Sequence, residues 1–238
     1  MIEIREKEVY RYLGYRGITP DPAISRRIES VTEELQKTAV PKHAVIRVPV
    51  QVSGAAGDAV SNAAPDSGEA PSAAAGESPV VRLGSLTIPS ADLARNMAHC
   101  REAFIFAATI GHEVDRLTRR YEIRSMLDAA ICQATAAAMI ESYVDSLNMD
   151  LVNQVKEEGL YLKPRFSPGY GDCPLEIQKD VLAVLDAGRQ AGITLTDGFL
   201  MVPTKSVTAF IGITEDYQPN HTKDCNFCDK TDCEFRLV

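Results

Sequence analysis

"SMLDAAICQATAAAMIESYVDSLNMDLVNQVKEEG", Ser125 to Gly159, reads as one extended helix that ends at a glycine cap. Its middle is almost all alanine, and side chains that small let neighbouring backbone come close. What flanks this helix decides the fold class. Upstream, "SADLARNMAHC" from Ser90 begins as a capped helix, "EAFIFAATIG" reads as a buried strand, and "HEVDRLTRRYE" from His112 is helical again. Downstream, "PLEIQKDVLAVLDAGRQAG" predicts another helix, with Pro174 at its first turn and Gly188 near its end. "ITLTDGFLMVPTKSVTAFIGIT" is strand-like, with a turn at Asp197-Gly198 and alternation through Val207, Ala209, Ile211 and Ile213.

The N-terminal part adds a weakly alternating opening, "IEIREKEVYRYLGY", and a turn. An amphipathic helix follows, with Asp21 as cap, Pro22 as first residue and Ile24, Ile28, Val31 and Leu35 on one face. His43 to Val52 alternates like a strand, with Pro49 hinting at a sheet edge. Ser53 to Pro79 is almost entirely Ala, Gly, Ser, Pro, Asp and Glu; it buries too little apolar surface to offset its ordering entropy and reads as a flexible insertion. A strand pattern resumes at Val80. Helices and strands interleave without a regular βαβ repeat, and no Gly-x-Gly-x-x-Gly follows a strand. The fold class is therefore α+β rather than a Rossmann sheet.

Composition narrows the partners. A hydrophobic content of 45% allows a real core, and 25 Lys+Arg against 33 Asp+Glu give a formal net charge of −8. A field of that sign works against a phosphate backbone, so nucleic acid is not expected. The charged first residues lack the apolar core of a signal peptide, and no apolar run approaches the ~18 residues of a membrane span. A cytoplasmic chain without membrane partners is expected. Its six cysteines are then thiols or metal ligands rather than disulfides. No Ser-His-Asp ordering, Gly-Lys-Ser/Thr loop or His-Glu-x-x-His points to a hydrolase or an NTPase.

The chemistry gathers in "PRFSPGYGDCPLEIQ", Pro164 to Gln178. Turns fixed by Pro and Gly around one Arg and one Tyr suggest backbone placed for a ligand. Arg165 supplies a fork of donors suited to a carboxylate, Gly169 lets a ligand touch the main chain, and Tyr170 can stack or donate. The helix expected after Pro174 would add its positive end. On the alanine-rich helix, Glu141 shares a face with Leu127, Ile131, Ala134 and Ala138, where a carboxylate needs a partner. It either pairs with Arg165 or holds a ligand's cation. A ligand with an α-carboxylate, an α-ammonium and a sulfonium would suit both residues.

"RFSPGYGDCP" resembles the Arg-Pro-Ala-Pro-Gly-Tyr-Pro-Ala-Cys-Pro motif of the activation domain of cobalamin-dependent methionine synthase. Arg165, Pro168, Gly169, Tyr170, Cys173 and Pro174 match. "GITLTDGFLMVPTKSVTAF" is similar to a second family segment, and "AAAMIESYVDSL" resembles the helix that carries a ligand-binding Glu, which falls on Glu141. The similarity runs from about Phe104 to Ile213, and the N-terminal part looks like that of free-standing relatives of the domain. Phe166, Ser167, Gly171 and Asp172 depart from the motif, Lys205 replaces a small residue, and the family's late Tyr would be Tyr217.

The resemblance implies one domain over residues 1–238, with a central, mainly antiparallel twisted sheet flanked by helices. It also implies S-adenosylmethionine (AdoMet) contacts at Glu141, Arg165, Gly169, Tyr170 and the backbone at Ser167. The implied activity is reductive methylation: an electron donor reduces the cob(II)alamin of a separate methionine synthase or related corrinoid protein, and the AdoMet methyl restores methylcobalamin. The chain would then be a methyltransferase component of methionine biosynthesis without a base of its own. A non-catalytic corrinoid-protein chaperone or metal-binding module on the same fold is the alternative. Near the C-terminus, in a Cys-rich tail over residues 221–238, Cys225, Cys228 and Cys233 have the spacing to converge on a metal, either an iron–sulfur cluster or zinc, with His221, Cys173 or an exogenous group completing the set. Free thiols are the other reading.

Overall fold

The computed structural model describes residues 2–15, 18, 20–54 and 79–216. The core of the expected flexible insertion, Tyr217 and the three clustered cysteines Cys225, Cys228 and Cys233 lie outside them.

Among the described residues the elements run α1 (Glu6–Tyr12), α2 (Pro22–Thr38), β1 (Lys42–Ser53), β2 (Val80–Leu83), β3 (Leu86–Pro89), α3 (Ala91–Asn96), β4 (Cys100–Thr109), α4 (His112–Arg124) and α5 (Met126–Lys156). They continue with β5 (Tyr161–Leu162), a 3₁₀ turn (Leu175–Ile177), α6 (Gln178–Val184), α7 (Ala187–Gln190), β6 (Thr194–Leu195), β7 (Met201–Val202) and β8 (Ser206–Thr214). Six strands form one sheet in the order β3-β2-β1-β4-β8-β5, antiparallel at every pairing; β6 and β7 form a separate small hairpin. This is the α+β class expected from the interleaved pattern.

Strand β4 explains the layering. Phe104, Phe106 and Ala108 point into one core with α2, α4 and α5, whereas Ala103, Ile105 and Ala107 point into a second core with α3, α6 and α7. β8 divides in the same way, with Ala209, Ile211 and Ile213 on the first side and Phe210 on the second. From Ala103 to Ala108 on β4 and from Ala209 to Ile213 on β8 the residues are apolar on both faces, because there neither face meets water. Helix α5 lies on the first side. Ser125 caps it by accepting from the Asp128 N–H at 3.2 Å. Its middle is buried almost all round, from Ile131 and Cys132 through Ala134, Thr135, Ala136, Ala138, Met139 and Ile140. A helix buried on most sides cannot be amphipathic, which accounts for the alanine run.

Several elements differ from the sequence expectation. The opening is the short helix α1 rather than an alternating stretch. Seven residues are too few for an isolated helix, so packing of the buried Val9 into the α-helical core supports it, with the Arg11–Glu8 ion pair on its surface. The strand expected from Val80 is a hairpin turned at Gly84-Ser85, with Gly84 at φ +58°. The helix expected after Pro174 is broken: a 3₁₀ turn leads into α6, and Asp186 in the left-handed region (φ +48°) separates α6 from α7. Pro49 sits inside β1, paired with Glu102 of β4. Its carbonyl accepts from Gly84 N at 3.0 Å on the other side, so the missing N–H faces the β2–β3 turn and no β4 bond is lost. Leu127, expected on the buried face of α5, is 44% exposed. No helix among the described residues is long and apolar enough to cross a membrane.

The segment after β5 is tied to β8 and then to α3. Lys163 N donates to Gly212 O at 2.8 Å, and Phe166 exchanges hydrogen bonds with Phe210 at 2.9 and 2.7 Å. Three residue steps on one side against two on β8 make a bulge at Pro164-Arg165, where proline has no N–H to leave unpaired. The loop then folds under itself through Tyr170 N to Ser167 O (3.1 Å), Cys173 N to Tyr170 O (2.9 Å) and Gly169 N to Cys173 O (3.0 Å). Its far end clamps the first turn of α3. The Asp172 carboxylate accepts from the Ser90 hydroxyl, from Ala91 N at 2.7 Å and from Asp92 N at 3.2 Å, and Asp172 N donates to Asp92 Oδ2 at 3.2 Å. Gly171 is required beside it: φ is +54°, and a Cβ there would overlap Asp92 Oδ2.

Burial pushes the Asp172 carboxyl up, but the hydrogen bonds from Ser90, Ala91 and Asp92 together outweigh it and hold the pKa below the ordinary value of 3.8. A carboxyl depressed in the folded state contributes stability that is present above its unfolded pKa and lost as pH falls through the folded one. Asp172→Ala is therefore expected to lower unfolding free energy by about 1 kcal/mol at neutral pH. Denaturant titrations across pH check it: the gap between variant and parent must close below about pH 4.

Candidate functional site

The bulge at Pro164-Arg165 aims successive side chains to opposite sides of the sheet edge. Phe166 packs on the second core, and Arg165 turns toward α5. There its Nη2 lies 3.1 Å from Asp145 Oδ1 and 3.7 Å from Glu141 Oε2. The two acids are one helical turn apart on α5 and so share a face. Arg165 Nη1 is buried and makes no hydrogen bond with any described residue. A buried guanidinium donor without an acceptor is costly, and a ligand carboxylate is the group whose geometry matches that fork.

Of the residues expected at the site, Glu141 and Arg165 are thus brought together directly. Glu141 is not on a buried stripe, however. Its side chain is 48% exposed, because beyond Ile140 the buried residues of α5 are Val144, Leu147, Leu151 and Val155, and Glu141 lies beside that stripe rather than on it. Ser167, Gly169 and Tyr170 form the tight turn that follows. The Ser167 carbonyl closes that turn, and Gly169 has φ +84°, with Leu175 Cδ1 3.3 Å from where a Cβ would sit. Tyr170 is 62% exposed and meets Phe166 edge to face, with ring centroids 6.4 Å apart. The positive end expected from the helix after Pro174 does not form, since a 3₁₀ turn stands in its place. The helix start beside this loop is that of α3, and Asp172 already occupies it.

Sequence reasoning missed Asp145, Arg5 and Tyr12. Asp145 carried a legible signal, its i+4 spacing from Glu141. Arg5 and Tyr12 carried none, because only the packing of α1 on the α-helical core brings them here. Arg5 Nη1 lies 3.5 Å from Asp145 Oδ2. Burial, with a further contribution from the charge of Glu141, pushes the Tyr12 hydroxyl above its ordinary pKa, and the Arg11 guanidinium stacks 4.7 Å from the Tyr12 ring centroid.

The other sequence candidates lie apart from this cluster. Lys205 packs beside Asp115 and Cys132, and burial lowers its pKa. His112 makes a local contact with Glu113 at 3.0 Å. Cys132 is a core thiol, and Cys100 is partly buried with its pKa pushed up to about 11 by burial. Cys173, within the loop, is 3% exposed and is likewise raised by burial to about 11, which favours the neutral, unreactive thiol. A cleft of about 480 Å³ between His99–Glu102, Leu160 and Ile213–Asp216 contains none of the expected site residues. No group of three or more His, Cys, Asp or Glu able to hold a metal occurs among the described residues.

Comparison with solved structures gives a match to the crystal structure of the MetH reactivation domain bound to AdoHcy. The TM-score is 0.59 and the identity 15%, over 91% of this chain and 75% of that one. At that identity the likeness is one of fold. No curated protein matches in sequence. The family model for the vitamin B12 dependent methionine synthase activation domain matches residues 93–218, just over half of the chain, and includes α5, the Arg165 loop and β8. The chain belongs to the family of the vitamin B12 dependent methionine synthase activation domain.

Proposed function

We propose that the chain binds S-adenosylmethionine at the Arg165 loop and presents its methyl group to the corrinoid of a separate methionine synthase or related protein. The observation that carries this reading is the unpaired, buried Nη1 of Arg165 beside two carboxylates. One fork receives an amino-acid carboxylate, and the acids receive the positive end of the same ligand. Gly169, Tyr170 and the main chain at Ser167 line the continuation of the loop. The structural neighbour is bound to AdoHcy, the demethylated form of such a ligand.

The surroundings fit presentation better than chemistry within the chain. The thiol of the loop, Cys173, is buried and protonated, and Tyr170 stands exposed at the tip. No residue of the cluster is a methyl acceptor, so the acceptor comes from a partner and the contribution of this chain is placement of the sulfonium. The electron for cobalt reduction comes either from a separate donor or from a metal centre on Cys225, Cys228 and Cys233. Of the two metals, an iron–sulfur cluster suits a redox task better than zinc.

Three measurements test this reading. Calorimetry is expected to detect direct S-adenosylmethionine binding, weakened by about ten- to a hundredfold in Arg165→Ala through loss of a charge-assisted pair; unchanged affinity in the variant would remove the assignment. Mixed with a reductant, S-adenosylmethionine and a cob(II)alamin protein, the chain is expected to accelerate the visible-spectrum change to methylcobalamin. An equal rate without it favours the chaperone reading. Anaerobically purified protein is expected to contain iron and acid-labile sulfide that are lost in Cys228→Ser; zinc alone, or no metal, leaves an external donor as the electron source.

A further inference from the structure

Asp145 has a role of its own in this cluster. It is nearer to Arg165 than Glu141 is, at 3.1 against 3.7 Å, and better sheltered, with 24% of its side chain exposed against 48%. Shelter matters because a charge interaction loses most of its strength to solvent screening at an exposed position. The second oxygen of Asp145 faces Arg5, whose side chain is 54% exposed and so compensates it only weakly. Among the described residues, Arg165 is the well-sheltered cation in contact with both acids. When a ligand carboxylate takes up part of the Arg165 fork, the balance shifts. Two α5 carboxylates and one ligand carboxylate then surround a single sheltered guanidinium, a deficit of two charges; the α-ammonium of the ligand offsets one, and a second positive charge elsewhere on the ligand offsets the other.

We propose that Asp145 is a specificity-determining residue that favours a sulfonium ligand over its neutral thioether. This inference rests on the reading that the Arg165 loop binds S-adenosylmethionine. The two ligand forms share the carboxylate, the ammonium and the nucleoside and differ in the methyl and the charge on sulfur. A carboxylate that interacts with that charge holds the methyl donor and releases the demethylated product. A carboxylate that only orients Arg165 treats the two alike.

The test uses the full chain and calorimetry with S-adenosylmethionine and S-adenosylhomocysteine in parallel. Asp145→Asn keeps the size and an oxygen acceptor for Arg165 but removes the charge. The expected result is about a tenfold loss of S-adenosylmethionine affinity with S-adenosylhomocysteine affinity nearly unchanged, as for loss of one partly sheltered charge interaction. Asp145→Glu, which retains the charge, is expected to keep the preference for the sulfonium. Equal weakening of both ligands in Asp145→Asn makes Asp145 a positioning residue for Arg165 and overturns the proposal; no change in either overturns it as well. A parent chain that binds neither ligand overturns the proposed function and this inference with it, a result distinct from the other two. Thermal melts of both variants establish that the chains compared are folded.

Discussion

The pairing of β4 with β8 is the constraint on which the remaining structure depends. Its register runs from Thr109↔Ser206 to Cys100↔Thr214, and from Ala103 to Ala108 and from Thr208 to Ile213 both faces of the pair are covered by packed side chains. With no face left for water, every neighbouring element must bring apolar surface, and the two sides are met differently. On one side α5 approaches with alanines at its middle, which brings its backbone close to the sheet. On the other, shorter pieces gather around Phe210, including α3 and α6. Dispersion contacts between close-packed groups are small singly and large together, so a strand pair covered on both faces is the rigid part of the molecule.

The candidate site lies at the border of this rigid part. Arg165 projects from a bulge on the sheet edge, its carboxylate partners project from α5 beside its buried stripe, and the loop between Ser167 and Cys173 is held to α3 by the Asp172 clamp. Three elements anchored in the core thus fix the positions of side chains that are themselves partly open to solvent. Loops fixed by a rigid scaffold suit recognition because little conformational freedom is left to lose when a ligand arrives. The clamp also gives a physical account of two departures from the family motif. Asp172 caps α3, and Gly171 is the residue that fits beside Asp92.

Periodicity made much of this legible in the sequence, and failed where periodicity is not the controlling physics. Ile28, Val31 and Leu35 announced α2, and the alanine run announced α5. Glu141 and Arg165 were legible as partners because a charge on a mostly apolar helix and an Arg in a Pro-Gly loop each need a counterpart. The α1 helix was not, since tertiary packing rather than local preference holds it, and with it went Arg5 and Tyr12. The hairpin at Gly84-Ser85 was hidden because its strands are only four residues each. The kink at Asp186 was hidden because apolar residues continue at near-helical spacing across it, from Val181, Leu182 and Leu185 to Ala187 and Ala191. Glu141 was misplaced on a buried stripe because the alanine-rich middle of α5 is buried nearly all round, whereas beyond Ile140 burial narrows to Val144, Leu147, Leu151 and Val155, a stripe that passes beside Glu141.

The order of strands also sets an order of assembly. Helices α4 and α5 are adjacent in sequence and can pack through short loops, whereas β8 must find β4 across roughly a hundred intervening residues, a closure that costs chain entropy before it gains contacts. The Arg165 bulge is hydrogen-bonded to β8 and cannot take shape until that strand has docked. A molecule recognised by the completed bulge therefore binds only chains that have finished folding, and by mass action it draws the population toward that state.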